Sequence, residues 1–495
     1  RRVMKLYVTV DFHDELCSAA WTPQMLSEYF YLMKEKGISR IYWIDQKEIM
    51  MHSGIKARTE RMLRTWDNFK GDIHSGAVKA AHAAGLEIFA LIKPYEMGLL
   101  MPSSDHAEKS DGIDVVGGKI LSFLHFAREH QEIMIHREDF STCGEIETFI
   151  LSFNKPLATD APFKVYGSNT NADYQIVSEE ILLSGTESVK IPRKEFLYYV
   201  FVLEDSDAGN TLRSLVTAED AQGRTAPVTL ALCPKQRVGV EEGFRSLGML
   251  FDYVPGIPSV IFSPEQIERR EFHFNAAKEH ALGVTLELNP VIAGNPDPQH
   301  PLFHQFIQEW VREDLNYGFD GIEIRISSHN SPIFWSEYGS GQKVRRQRGE
   351  AHTQLLRKLS ECTREARKKF SIHIEDFMYG CSPEQSCPME CFWDYHTWIR
   401  EKVCDEVTSK IIRTTGFSPE NLEMISLCRK MNIPVNICPF LHGCPEVDKF
   451  ARQAKFAGAE AFNIYEAATL WRYEDGRFTE RNPQQAQLLW SIPGL

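Results

Sequence analysis

The sequence predicts an α/β fold: a (β/α)8 TIM barrel carrying an inserted β-sandwich domain after its third strand. Three observations predict it. Residues 5–95 alternate strand-like and helix-like patterns in the order βαβαβ, which is how a parallel sheet is written. From about residue 140 to 232 the rhythm changes to short alternating segments separated by turn residues. Beyond that stretch helices again precede strands, five times, so that three strands before the insertion and five after it make eight.

Residues 5–12 form the first strand and end in Asp11, Phe12, His13 and Asp14. Thr22-Pro23 then opens a helix, Thr as N-cap and Pro at the first helical position, and Gly37 ends it. Residues 40–45 are the second strand, 72–84 a helix stopped by Gly85, and 86–95 the third strand. In the insertion, strands are expected at 147–153, 163–166, 197–203, 212–218 and 226–232, with a further β piece at 248–262. Turn chemistry at Asn169-Thr170-Asn171, Asp207-Ala208-Gly209-Asn210 and Gln222-Gly223-Arg224 separates them. The barrel then resumes with helices at 304–317, 349–369, 392–403, 419–431 and 445–456. They feed strands at 321–327, 371–376, 406–413, 435–440 and 459–465. The domain division is therefore 1–139 for the first part of the barrel, 140–264 for the insertion and 265–495 for the second part.

Composition narrows the function. Hydrophobic content of 43% and charged content of 25% are those of a soluble globular chain. A formal net charge of -13 argues against a nucleic-acid partner, because phosphate binding needs clustered Lys and Arg. The densest basic run, Lys343-Val344-Arg345-Arg346-Gln347-Arg348, reads as the start of a solvated helix. No apolar run is long enough to span a membrane. The chain opens Arg1-Arg2-Val3-Met4 with no visible signal peptide, and its 11 cysteines are an odd number, so a cytoplasmic location is favoured over export. Cys381, Cys387 and Cys391 share one loop, but their spacing matches no zinc pattern.

The most informative segment is Phe319-Asp320-Gly321-Ile322-Glu323-Ile324-Arg325-Ile326-Ser327-Ser328-His329. Ile322, Ile324 and Ile326 share one face of a strand, and Glu323, Arg325 and Ser327 the other. Asp320 reads as a cap on the turn before it. Barrel enzymes present catalytic groups at the C-terminal ends of their strands. Those ends carry Asp11 and His13, then Asp45, then Lys93, Tyr95 and Glu96. The later strands add Glu323, Arg325 and His329, then Glu375 and Asp376 with Tyr379 beyond. Arg413, His442, Asn463, Tyr465, Glu466 and Trp471 complete the mouth.

Carboxylates, a few cations and aromatics around one mouth suit a sugar, where acids transfer protons, cations and amides grip hydroxyls, and rings stack on pyranose faces. Glycoside hydrolysis needs two carboxyl groups. Glu323 and Glu375 lie on adjacent strands about 5 Å apart at the backbone. Arg325 would hold one ionised while burial raises the other. Glu375 and Asp376 point to opposite faces, and Glu375 is the one assigned to the site. The structural alternative is a Glu323–Arg325 pair bracing the barrel interior. No zinc-type histidine cluster, dinucleotide fingerprint, phosphate-binding loop or nucleophile elbow is present, and no cofactor is expected.

The run Tyr317–Asn330 resembles the fourth-strand signature of bacterial glycoside-hydrolase-like barrel proteins, Gly-hydrophobic-Asp-Gly-hydrophobic-acid-hydrophobic-Arg followed by Ser/Asn-His. The opening strand followed by Trp21-Thr22-Pro23 fits the same group. That resemblance implies a TIM barrel and a carbohydrate substrate, without an established catalytic pair. A looser similarity to α-amylase-type barrels breaks down on the same strand. There Glu323 stands where those enzymes have Arg, and Arg325 where they have the nucleophilic Asp.

The sequence therefore leads to a metal-independent glycoside hydrolase with Glu323, Glu375 and Glu466 as catalytic candidates. Asp11, His13, Asp45, Lys93, Tyr95, Glu96, Arg325, His329, Asp376, Tyr465 and Trp471 are the substrate-binding candidates. The partner is a carbohydrate substrate, with homo-oligomerisation left open. A sugar isomerase, epimerase or lyase, and a non-catalytic glycan-binding barrel, are the alternatives on the same fold.

Overall fold

A computed structural model describes residues 3–16, 19–47, 56–97, 99–101, 113–115, 118–121, 124–136, 145–153, 155–168, 175–196, 198–203, 215–226, 236–238, 245–247, 280–285, 291–325, 342–375, 392–411, 417, 419–439 and 446–494. Eight strands close into a barrel. They are β1 (Lys5–Val10), β2 (Ile38–Asp45), β3 (Glu87–Ile92), β4 (Gly321–Arg325), β5 (Lys369–Glu375), β6 (Glu406–Ile411), β7 (Val435–Pro439) and β8 (Ala461–Ile464). Each pairs in parallel with its sequence neighbour, and β8 pairs with β1. A helix follows every strand: α1 (Pro23–Glu35), α2 (Ile73–Ala83), α3 (Pro301–Tyr317), α4 (Gln342–Glu365), α5 (Tyr395–Arg400), α6 (Pro419–Met431), α7 (Val447–Ala457) and α8 (Pro483–Ser491). These strands and helices build a (β/α)8 barrel.

Local chemistry sets the helix ends. The Thr22 hydroxyl accepts the Met25 N–H at 3.2 Å and Pro23 opens α1, as the sequence predicts. Asp72 caps α2 through the Ser75 N–H at 3.0 Å. The Phe-Asp-Gly turn before β4 is architectural. Gly318 ends α3 with φ of 96°, a left-handed conformation that glycine adopts without strain. Asp320 accepts the Ile88 N–H at 2.9 Å and meets His82 at 2.9 Å, tying β4 to β3 and α2. A Cβ on Gly321 would lie 2.6 Å from the Phe89 ring, so only glycine fits beside that phenyl inside the barrel.

The expected helix at 392–403 is only the short α5, whereas α4 begins earlier than residue 349. The helix Lys56–Asn68 escapes sequence reading because its apolar stripe is narrow. Met62 and Thr65 are buried in a run dominated by charge. An antiparallel pair, Trp471–Glu474 with Arg477–Glu480, follows β8.

The chain divides into two compact units: Arg1–Glu96 with Asp297–Trp335 and Gln342–Leu495, and Met97–Pro296 with Ser336–Gly341. The expected insertion at 140–264 lies within the second. That unit contains two four-stranded antiparallel sheets. One orders Gln175–Leu182, Ala161–Ser168, Tyr198–Leu203 and His280–Thr285; the other orders Ser188–Pro192, Ile146–Ser152, Leu215–Asp220 and Thr225–Ala226. Phe149 of one sheet lies 4.7 Å from Tyr199 of the other, ring to ring. Phe163, Tyr166 and Tyr199 are buried. The expected β piece at 248–262, and residues 227–232, lie outside the described residues. Among the described residues no helix is long and apolar enough to cross a membrane.

Candidate active site

Alternation along each strand sends every second side chain into the barrel. Such interiors are commonly filled by Val, Ile and Leu. Here a continuous polar chain runs through them. At the N-terminal end the Arg40 guanidinium lies over the Phe89 and Tyr7 rings, 4.1 and 4.5 Å from their centroids. It donates to Glu87 at 2.8 and 2.9 Å and forms a short ion pair with Glu406. Arg40 also donates to the Tyr42 hydroxyl at 3.2 Å, which the Asn436 amide meets at 3.2 Å. Burial, and then the Glu323 charge, push the Tyr42 phenol well above its usual range, so it stays neutral.

Asn436 next donates to Thr408 Oγ1 at 2.8 Å, which frees the Thr408 hydroxyl proton for Glu323 Oε2 at 2.6 Å. Ser371 donates to the same oxygen at 2.8 Å. Glu323 Oε1 meets His373 Nδ1 at 2.9 Å. Glu323 and His373 are both fully buried, at 0% exposure, so only this mutual satisfaction makes their burial tolerable. With Glu323 as a carboxylate, Nδ1 carries the bonded proton, and Nε2 is the nitrogen on the side away from Glu323.

Toward the C-terminal strand ends lie two further groups. Lys93 Nζ is 3.3 Å from Glu96 and 3.8 Å from Asp11, and the Gln46 amide donates to Asp11 at 3.0 Å. Arg325 donates to the Tyr465 hydroxyl at 3.0 Å, while Lys410 Nζ lies 3.5 Å from the centroid of the same ring. Thr9 donates to Asn463 at 3.1 Å. His373 is the register partner of Arg325 on the adjoining strand.

The structure thus joins Arg325 to Tyr465, with Glu323 two positions earlier on the same face of β4, and separately joins Asp11, Lys93 and Glu96. Glu466 follows β8 half-buried, with φ of 59° and ψ of 95°, a strained backbone for a residue with a side chain. Other sequence candidates point elsewhere. Asp45 turns outward, bonding His74 and Trp310. Tyr95 bonds His352 of α4 at 2.6 Å and packs on Phe303 of α3. Trp471 is buried against Trp490 and Tyr29, in the layer of α8 and α1. The side chains of His13 and Glu375, and all of His329, Asp376, Tyr379, Arg413, His442 and the Cys381 loop, lie outside the described residues.

Sequence reading missed His373 and Lys410. The signal existed: in Ser371-Ile372-His373-Ile374-Glu375 the histidine shares its face with Glu375, and Lys410 shares one with Thr408. Attention to the end of each strand passed over His373, two positions before Glu375, and Lys410, three before Arg413.

No family model and no curated protein matches the chain. Among solved structures, morphinone reductase in complex with tetrahydroNAD aligns over 98% of this chain and 90% of its own, at 9% identity and a TM-score of 0.39. The carboxyl transferase domain of Rhizobium etli pyruvate carboxylase aligns over 33% of this chain and 24% of its own, at 11% identity and a TM-score of 0.22. This chain therefore spans about a quarter of that second structure. Both are enzymes and neither is a glycoside hydrolase, but neither likeness identifies the reaction of this chain.

Proposed function

We propose that the barrel mouth is the active site of an enzyme that moves a proton on a carbohydrate-type substrate, with His373 as the acid–base group and Glu323 as its positioning residue. The Glu323–His373 contact, braced by Ser371 and Thr408, is the observation that carries this reading. A carboxylate on one imidazole nitrogen fixes the tautomer and orientation of the ring and stabilises the imidazolium formed when the other nitrogen takes a proton. In an isomerase or epimerase the proton leaves a carbon beside a carbonyl and returns to the same or the neighbouring carbon, so the balance is closed without another reactant. Lys93, Arg325, Lys410 and Tyr465 supply the cations and hydroxyl that would orient a polyhydroxylated substrate and stabilise developing negative charge.

This reading differs from the two-carboxylate hydrolase drawn from the sequence. Glu323 accepts from three donors, so service as nucleophile or proton donor would first break contacts that its burial requires. Glycoside hydrolysis keeps one specific support, the strained backbone of Glu466 beside Tyr465.

The test is a panel of free sugars and aryl glycosides incubated in deuterated water and read by mass spectrometry. Deuterium entering a sugar of otherwise unchanged mass, lost in His373→Gln, is the expected result. Sugar release that survives His373→Gln and stops in Glu466→Gln would replace it with the hydrolase reading. Binding without any chemistry would leave a glycan-binding barrel.

A further inference from the structure

A second group of titratable side chains is buried outside the barrel, where the end of β2 meets α2 and α3. Asp45 is 2% exposed and faces outward. Its Oδ1 accepts the Lys47 N–H at 2.7 Å and meets His74 Nε2 at 3.1 Å. Its Oδ2 accepts the Trp310 indole N–H at 2.5 Å. One turn along α3 from Trp310 stands Asp314, which is 0% exposed, with neither carboxyl oxygen meeting a hydrogen-bond donor of another group. It shares a helix face with Trp310, whose indole already bonds Asp45, which places the two carboxyls side by side.

The other charged groups facing this pair do not neutralise Asp314. The Lys47 ammonium sits 2.5 Å from Glu313 Oε2 and 5.0 Å from the centroid of the Trp310 ring. Glu313 adds negative charge, and Tyr317 donates to it at 3.2 Å. Burial lowers the His74 pKa and the Asp45 carboxylate raises it by more. Yet the Trp43 indole N–H, which can only donate, sits 3.1 Å from His74 Nδ1. Both His74 nitrogens are therefore engaged, Nε2 with Asp45 and Nδ1 with Trp43, and neither serves Asp314. Among the described residues no group of His, Cys, Asp and Glu is arranged to hold a metal ion.

Two adjacent buried carboxylates with no donor between them repel strongly, and one proton between them removes the conflict. We infer that Asp45 and Asp314 share a single proton, which makes this acid pair a pH-sensitive clasp holding α3 on the end of β2. Burial and then the Asp45 charge push Asp314 well above the carboxylate range. Burial would also raise Asp45, but His74, the Lys47 N–H and Trp310 outweigh it and keep Asp45 ionised. The clasp lies directly behind the mouth, because Gln46, between Asp45 and Lys47, holds Asp11.

Asp314→Asn tests the clasp by keeping the shape and supplying the donor permanently. Denaturation of the full chain is followed from mildly acidic to alkaline pH. The folded state carries a proton that the unfolded state releases above a pKa of ~3.9. The wild-type folding equilibrium should therefore fall about tenfold per pH unit relative to the variant, up to the pH at which the clasp opens. Parallel pH profiles for the two proteins would overturn the proposal. Carbon-13 NMR of aspartate-labelled wild type gives an independent reading that does not depend on the variant folding. One carboxyl carbon should show the shift of a protonated acid at neutral pH, and its absence would equally overturn the clasp.

Discussion

Glu323 Oε1 lies 2.9 Å from His373 Nδ1, and Ser371 and Thr408 occupy the other oxygen of the same carboxylate. On the proposed reading, a glutamate in that position acts through the histidine. Glu323→Gln keeps the volume but removes the charge that stabilises an imidazolium. The expected result is a fall in kcat of about 10²–10⁴ with KM nearly unchanged, and a shift in the acidic limb of the rate profile. A merely structural Glu323 would instead lower stability and leave the rate profile of the folded fraction where it was.

Arg40 is the base plate of the same polar chain. Glu406 is buried, which alone would raise its pKa, but Arg40 and Lys369 together hold it below the ordinary range. Arg40→Met leaves Glu406 charged and buried beside Lys369 only, at an expected cost of about 3–5 kcal/mol. The double variant Arg40→Met/Glu406→Gln should recover most of that loss in chemical denaturation. If the double variant were as unstable as the single one, packing of the guanidinium on Tyr7 and Phe89 would be the larger contribution.

The acid side of the stability profile follows from the same residues. Glu406 and Asp45 have folded-state pKa values below their unfolded ones. Their stabilisation is therefore present above the unfolded values of ~3.9–4.3 and lost as pH falls from there toward the folded values. Asp314 has the opposite sign, with stabilisation complete below its unfolded value and lost as pH rises. Thermal melts should show a wild-type maximum between the two limbs. In Glu406→Gln the acid limb should become shallower while the alkaline limb is unchanged.

The barrel was legible because its strands carry short apolar runs between capped helices, and β1 to β8 all fall at or near the expected places. The Asp320 cap was legible too, since a small acid before glycine has a local role that needs no tertiary knowledge. The direction of Asp45 was not. It ends a strand at the mouth, but Ile44 takes the inward position and Asp45 the outward one, so alternation at the strand end decided against proximity in sequence. Tyr95 and Trp471 lie beyond their strands, where the chain has already turned toward the helices, and periodicity no longer fixes a face. His373 needed its partner: a lone histidine in a strand has no evident role until Glu323 on the neighbouring strand is seen to bond it.

Gly321 separates architecture from chemistry within the most informative segment. Its Cβ would lie 2.6 Å from the Phe89 ring, which packs inside the barrel with no room to retreat. Gly321→Ala should cost about 1–3 kcal/mol by overpacking, measured by denaturation, with Phe89→Leu in the same chain restoring part of it. Turnover per folded molecule should not change, because Gly321 sits at the opposite end of β4 from Arg325.

Tyr465 ties two cations together at the mouth, its ring meeting both Lys410 and Arg325 and its hydroxyl accepting from Arg325. Lys410 lies over the ring at 3.5 Å, and Arg325 donates to the hydroxyl at 3.0 Å. Tyr465→Phe deletes the hydroxyl that accepts the Arg325 bond and keeps the ring, whereas Tyr465→Ala also removes the surface under both Lys410 and Arg325. If Arg325 must be held in one orientation to grip substrate, Tyr465→Phe should raise KM with a smaller change in kcat, because that acceptor fixes the guanidinium before substrate arrives. Tyr465→Ala should lower stability as well, since a buried ring of this size costs about 3–5 kcal/mol when removed. Equal KM in wild type and Tyr465→Phe would mean that Arg325 is oriented by its other contacts and that the hydroxyl is not part of substrate binding.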